Sequence, residues 1–107
     1  MQYKVLLVDD DPLQHEILTA IVRDKLGYKV ISLNDGKKAI DLLNSSKGSD
    51  INLVLLDILM PDISGIEVLQ AVRPLHPEMG IIVVTASEDI NTAIKATKLG
   101  ADDFVLK

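Results

Sequence analysis

Five short apolar runs alternate with four stretches of helical spacing, and this alternation constrains the fold more than any other feature of the chain. Lys4–Val8 (KVLLV), Lys29–Leu33 (KVISL), Ile51–Leu56 (INLVLL), Gly80–Val84 (GIIVV) and Asp103–Lys107 (DFVLK) are short and largely apolar. They read as strands, and the continuously apolar Lys4–Val8 has the pattern of one buried on both faces. Pro12 to Lys25 places Leu13, Ile17, Leu18, Ile21 and Val22 on one helical stripe. Asp11 is its N-cap, Pro12 its first helical residue, and Gly27 follows its end. A second helix starts at Asn34 or Asp35 and carries Ala39, Ile40, Leu42 and Leu43. Asn44 to Asp50 (NSSKGSD) is a loop by composition. Ser64-x-x-Glu67 is a capping box that opens a third helix, closed by Pro74 and Pro77. Ser87 or Asp89 caps a fourth, with Ile90, Ala93, Ile94 and Thr97 on its stripe and Gly100 after its end.

The order βαβαβαβαβ implies a parallel sheet with helices on both faces and right-handed crossovers. The expected fold is therefore α/β, a doubly wound, five-stranded parallel sheet, with the flavodoxin-like 2-1-3-4-5 as the strand order considered. In that order helix one lies alone on one face and helices two, three and four share the other. One helix cannot cover five strands. The chain thus reads as lacking its final helix, or as having that face covered by a partner. No linker, repeat or compositional break divides it, so residues 1–107 are expected to form a single domain. With 48% apolar and only 3% aromatic residues, the core must be built from Ile, Leu, Val and Ala.

The remaining composition excludes several classes. Acidic residues outnumber basic ones 16 to 11, giving a net charge of -5, which argues against direct nucleic-acid binding. Without cysteine there is neither a disulfide framework nor a thiolate metal site. No apolar segment reaches membrane-spanning length, and the N-terminus lacks a signal peptide's pattern. No membrane association and a cytoplasmic location are expected.

In an open parallel sheet, ligands bind beyond the carboxyl ends of the strands, where the strand order reverses. Here that point lies between strands one and three. Asp9 and Asp10 follow strand one, Asp57 follows strand three, Thr85 ends strand four and Lys107 ends strand five. Three carboxylates converging on one edge suit a hard cation with oxygen ligands: Mg²⁺, or Mn²⁺ as the alternative. An aspartate can itself be a nucleophile that forms an acyl phosphate. A hydroxyl and an ammonium would hold the remaining phosphoryl oxygens. Taken alone, Asp9 to Pro12 (DDDP) is equally a solvated helix cap or a metal site, and Asp11 reads as the cap. His15 and His76 read as surface residues. Met60, Pro61 and Gly65 read as loop geometry.

At these positions the sequence resembles the receiver domain of two-component response regulators. The resemblance spans the chain through "LLVDDDP", "LLDILMPDISGIEVL", "IIVVTAS" and "GADDFVLK". The family pattern D-x-x-M-P-x-x-x-G stands as Asp57 to Gly65, and the spacings Asp57 to Thr85 and Thr85 to Lys107 match. The resemblance implies that Asp57 is the phosphoacceptor, loaded by a histidine kinase or phosphotransfer protein. It implies Mg²⁺ on Asp10, Asp57 and the backbone carbonyl of Leu59, with Asp9 acting through water. Thr85 and Lys107 would contact the phosphoryl group. Phe104 stands at the family's aromatic switch position, where a plain core role competes, and Ala86 leaves room for its motion. Such a domain is a signalling module, not an enzyme, catalysing only its own phosphorylation and dephosphorylation. The family usually continues with Pro and a fifth helix after the Lys. Homodimerisation, including through the bare face, is an expected association.

Two rival readings belong to other classes. Asp9-x-Asp11 resembles the D-x-D of haloacid-dehalogenase-type phosphatases, but Leu13 replaces the Thr or Val of that motif. A flavodoxin-like cofactor binder needs a Ser/Thr/Gly phosphate loop after strand one, where DDDP would repel phosphate.

Overall fold

A computed structural model describes residues 3–60, 63–86 and 90–106. In chain order the elements are β1 (Lys4–Val8), α1 (Pro12–Thr19), β2 (Lys29–Leu33), α2 (Gly36–Leu43), β3 (Leu53–Asp57), α3 (Gly65–Val72), β4 (Gly80–Thr85), α4 (Ile90–Lys98) and β5 (Asp103–Leu106). All strand pairs are parallel and the sheet order is β2-β1-β3-β4-β5. The expected doubly wound α/β fold is present, with four α-helices among the described residues. None of these helices is long and apolar enough to cross a membrane.

The helix starts follow their caps. Asp11 accepts from the Leu13 N–H at 3.0 Å and opens α1. Asp35, not Asn34, caps α2, accepting from Lys37 and Lys38 at 2.7 and 3.1 Å. Ser64 caps α3 through the Glu67 N–H at 3.3 Å. The proposed caps of α4, Ser87 and Asp89, lie outside the described residues, as do Pro61 and Lys107. The α1 helix continues as a π-helical segment, Ala20–Lys25, which ends where Gly27 turns with φ +74°.

Several boundaries and faces differ from the sequence expectation. β3 runs over Leu53–Asp57 instead of Ile51–Leu56. Ile51 closes a 3₁₀ turn over Ser46–Asp50, in the stretch expected to be a plain loop, by donating to Gly48 at 3.2 Å. Asp57 and Thr85 are thereby the last residues of their strands. On α4 the buried stripe is Ala93 and Ala96, while Ile94 is 44% exposed. Small side chains let that helix approach the sheet, and the larger ones point away.

The principal core lies between the sheet and α2, α3 and α4. It contains Leu6, Val8, Val54, Leu56, Ile81 and Val83 from the strands, packed with residues such as Leu43, Val68, Leu69 and Ala93. Each large aliphatic side chain buried there contributes about 1.5–3 kcal/mol. Among the described residues the opposite face has only α1. Its stripe residues Ile17 and Ile21 are 46% and 42% exposed, and Val105 of β5 is 51% exposed. Only Val22 of the expected stripe is buried, because no second helix among the described residues shares this face. The inference from topology that β3 to β5 are under-covered on this side is met.

One arginine ties the far end of the sheet together. Arg73, following α3, donates to the carbonyls of Gly100 (2.8 Å), His76 (3.0 Å) and Met79 (2.7 Å), and pairs with Asp102 at 3.1 Å. Asp102 also accepts from the Ile81 N–H at 2.8 Å. The α3 terminus, the start of β4 and the α4–β5 turn are thus held by one side chain.

Candidate functional site

The sheet register builds the site. β1 and β3 run in register up to Val8↔Leu56, so the next residue of each strand, Asp9 and Asp57, emerge side by side. β3 and β4 remain paired through Asp57↔Val84, which sets Thr85 one residue further along the same edge. Order reversal between β1 and β3 leaves no crossover helix directly above this point, and the strand ends open into a crevice.

Asp9, Asp10 and Asp57 each place one carboxylate oxygen within 4.8 Å of the others. Asp9 and Asp57 are buried, at 1% and 3% exposure, whereas Asp10 is exposed. Asp11 is exposed as well and serves the helix cap. The triple acid thus divides as its sequence context suggested, two residues into the cluster and one into α1. Like charges this close repel, and burial raises the cost of ionising them. A small divalent cation fits the donor set: hard carboxylate oxygens, few in number, with one open and exposed side where water or a phosphoryl oxygen completes the shell.

Asp9 is fixed from several directions. Its N–H donates to the Leu33 carbonyl at 3.1 Å, and its Oδ1 accepts from the Asp11 N–H at 2.9 Å. The His15 ring bonds its backbone carbonyl. Thr85 is 1% exposed, and its hydroxyl reaches the Ala86 carbonyl only at 3.5 Å. That is a weak bond, and the hydroxyl is available to a stronger acceptor. Leu59 stands two residues past Asp57 and is 59% exposed. Phe104 pairs with Val83 in the β4–β5 register and packs, half-buried, against the core beneath α4. It shares with Thr85 the face of the sheet that α4 covers. Lys107, the fifth residue expected here, lies outside the described residues.

Sequence reasoning missed one contact at the site. Gly65 is backbone geometry, as expected, and that geometry reaches the site: its N–H donates to Ile58 at 2.8 Å, and its Cα lies against the Asp57 backbone. His15 and His76, expected at the surface, are half-buried; His15 bonds the carbonyl of Asp9 at the site, whereas His76 bonds that of Leu43 at the end of α2, away from the cluster. Neither histidine has a sequence motif around it. The only available signal was that His15 falls on the side of α1 that faces the end of β1.

The profile of the response regulator receiver domain matches residues 5–107. The transcriptional regulatory protein CpxR of Escherichia coli is 39% identical over 107 residues, covering 97% of this chain and 42% of that protein. CitT of Halalkalibacterium halodurans, another transcriptional regulatory protein, is 37% identical over 106 residues, 98% of this chain and 46% of its own. The chain thus spans less than half the length of these curated relatives. Among solved structures, the response regulator TrrA of Thermotoga maritima, in complex with Mg²⁺ and BeF, superposes with a TM-score of 0.83 at 30% identity, covering 99% of this chain and 87% of that one.

Proposed function

Because the chain belongs to the response regulator receiver family, we propose that residues 1–107 form one receiver domain in which Asp57 is the phosphoacceptor. The observation that carries this reading is the buried Asp57 at the end of β3, in a cluster with Asp9 and Asp10 and one residue in register from the buried Thr85.

In the proposed reaction an Asp57 carboxylate oxygen attacks the phosphorus of a phosphohistidine on a histidine kinase or phosphotransfer protein. The P–N bond breaks, the donor nitrogen takes its electron pair, and an acyl phosphate forms on Asp57. Asp9, Asp10, Asp57 and the Leu59 carbonyl would hold Mg²⁺, with Mn²⁺ as a substitute. When bound, the ion offsets the charge between the attacking carboxylate and the phosphoryl oxygens. The Thr85 hydroxyl donates to a phosphoryl oxygen, and Lys107 pairs with another. The match to a relative solved with Mg²⁺ and BeF supports this assignment. So does the role of Asp11: its carboxylate is engaged with the α1 N-terminus, which argues against the phosphatase-like use of Asp9-x-Asp11.

Phosphorylation then shifts α4 and β5 between two states, with Phe104 as the packed side chain that reports the change. The chain acts as a signalling switch, and a cytoplasmic place follows from that role. The test is intact mass after incubation with Mg²⁺ and a small acyl phosphate. One added phosphoryl group, not taken up when chelator is present throughout and absent in Asp57→Asn, supports the reading. No uptake by the folded chain, or undiminished uptake by Asp57→Asn, overturns it.

A further inference from the structure

We infer that His15 is a positioning residue for the acidic cluster, acting through the backbone of Asp9. This inference rests on the metal-dependent phosphoacceptor reading above. His15 sits one turn into α1, six residues after Asp9, and its Nε2 bonds the Asp9 carbonyl. A carbonyl oxygen only accepts, so Nε2 carries the proton. That holds whether the ring is neutral or charged, and the contact therefore does not depend on the state of Nδ1.

The consequence follows from the peptide plane. The Asp9 carbonyl and the Asp10 N–H belong to one rigid unit. Anchoring the carbonyl fixes the orientation of the bond that leads into Asp10. Asp10 needs such an anchor more than its neighbours do. Asp9 is buried and held by the Leu33 carbonyl and the Asp11 N–H, and Asp57 is buried at the end of a paired strand. Asp10 is exposed in the turn between β1 and α1, where neither sheet pairing nor burial restrains its main chain. His15 links that turn to the body of α1. The ring also lines the cleft beside Asp10, together with Pro12, Leu33 and Asn34. Groups that orient metal ligands without touching the metal commonly set affinity by an order of magnitude or more.

The geometry makes a discriminating variant set. His15→Leu keeps bulk and removes the donor. His15→Gln places an amide N–H close to the position of Nε2. His15→Asn places its N–H near Nδ1, too short to reach. Mg²⁺ dissociation constants are measured by calorimetric titration of the whole chain, with urea midpoints recorded in parallel. Leu and Asn should weaken Mg²⁺ binding roughly tenfold, the low end of the range for ligand-orienting groups, and Gln should restore most of it. Urea midpoints should not follow that order. Equal Mg²⁺ affinity in all four proteins overturns the positioning role while leaving the phosphoacceptor reading intact. Weakening by Gln as large as by Leu also overturns it, as does weakening that tracks stability alone. Absence of Mg²⁺ binding in the unmodified chain overturns the metal-dependent reading, and this inference with it.

Discussion

A Cβ added at Gly65 would lie 2.2 Å from the backbone carbonyl oxygen of Asp57 and 2.8 Å from the Ile58 Cα. The start of α3 therefore rests on the main chain that carries the central carboxylate, at a separation no other residue permits. The Gly65 N–H bond to Ile58 at 2.8 Å holds the two segments together. Gly65→Ala must push α3 away from the strand end. The expected cost is about 1–3 kcal/mol, the range for inserting a methyl into a packed site. A urea titration should show a lower midpoint. A variant as stable as the parent would mean that the contact relaxes freely.

Arg73 gives a second prediction, on stability alone. Its side chain is 14% exposed, and its donors satisfy four carbonyls, those of Gly100, His76, Pro77 and Met79, as well as Asp102. Arg73→Met keeps the aliphatic stem and leaves those carbonyls unserved, at a cost of roughly 2–3 kcal/mol. Asp102→Asn should cost less than about 1 kcal/mol, because Asp102 is 59% exposed and the pair is screened by water. Gly100, at φ +119°, would place a Cβ 2.9 Å from the Arg73 Cγ, so Gly100→Ala should approach the Arg73→Met loss. Denaturation midpoints of the three variants order these costs. An Asp102→Asn loss equal to that of Arg73→Met would place the clamp in the ion pair and not in the carbonyl bonds.

The uncovered side of the sheet yields a third. Ile17, Ile21, Leu55, Ile82, Val84, Val105 and Leu106 line one continuous apolar groove between α1 and the β3–β5 strands. Contiguous apolar surface of this kind binds amphiphilic dyes or a second surface. The chain should enhance the fluorescence of an apolar dye or self-associate with concentration. Ile21→Gln combined with Val105→Thr should diminish both. A monomer at high concentration that gives no dye signal would contradict the exposed arrangement.

Much of this was legible in the sequence, and the reasons are physical. Short apolar runs bounded by turn signals are readable locally, so all five strands were found, including β2 and β5, which are half-buried or exposed; the order 2-1-3-4-5 is one that the alternation of elements allows. Caps such as Asp11 and Ser64 work within four residues and are readable locally. What failed depends on contacts distant in sequence. The Ile51 to Asp57 boundary is set by a 3₁₀ turn and by Asn52 bonding to Lys4 and Gly80. The inner stripe of α4 follows from how closely that helix approaches the sheet. The Asp cluster was identified because strand ends converge by topology. Gly65 was marked by the pattern from Asp57 to Gly65, though not the closeness of its contact, whereas the role of His15 depends on an ångström-scale contact with Asp9 that no spacing rule reports.

Thr85 supplies a fourth prediction, tied to the chemistry. Thr85 is buried at the end of β4, one residue in register beyond Asp57, with a weak bond from its hydroxyl to Ala86. Thr85→Val conserves volume and removes that donor. The rate of phosphoryl uptake should fall roughly ten- to hundredfold, the worth of one hydrogen bond to a charged oxygen, while Mg²⁺ affinity stays close to that of the parent. Unchanged uptake would remove Thr85 from the reaction.

The assignment of Asp57 as the phosphoacceptor is tested most directly by locating the acyl phosphate. After incubation with Mg²⁺ and a small acyl phosphate, borohydride reduces an aspartyl phosphate to homoserine, and peptide sequencing then identifies the residue converted. Conversion of Asp57, with Asp9 and Asp10 intact, is the expected result. Conversion at Asp9, or phosphoryl uptake with no aspartate converted, would contradict it.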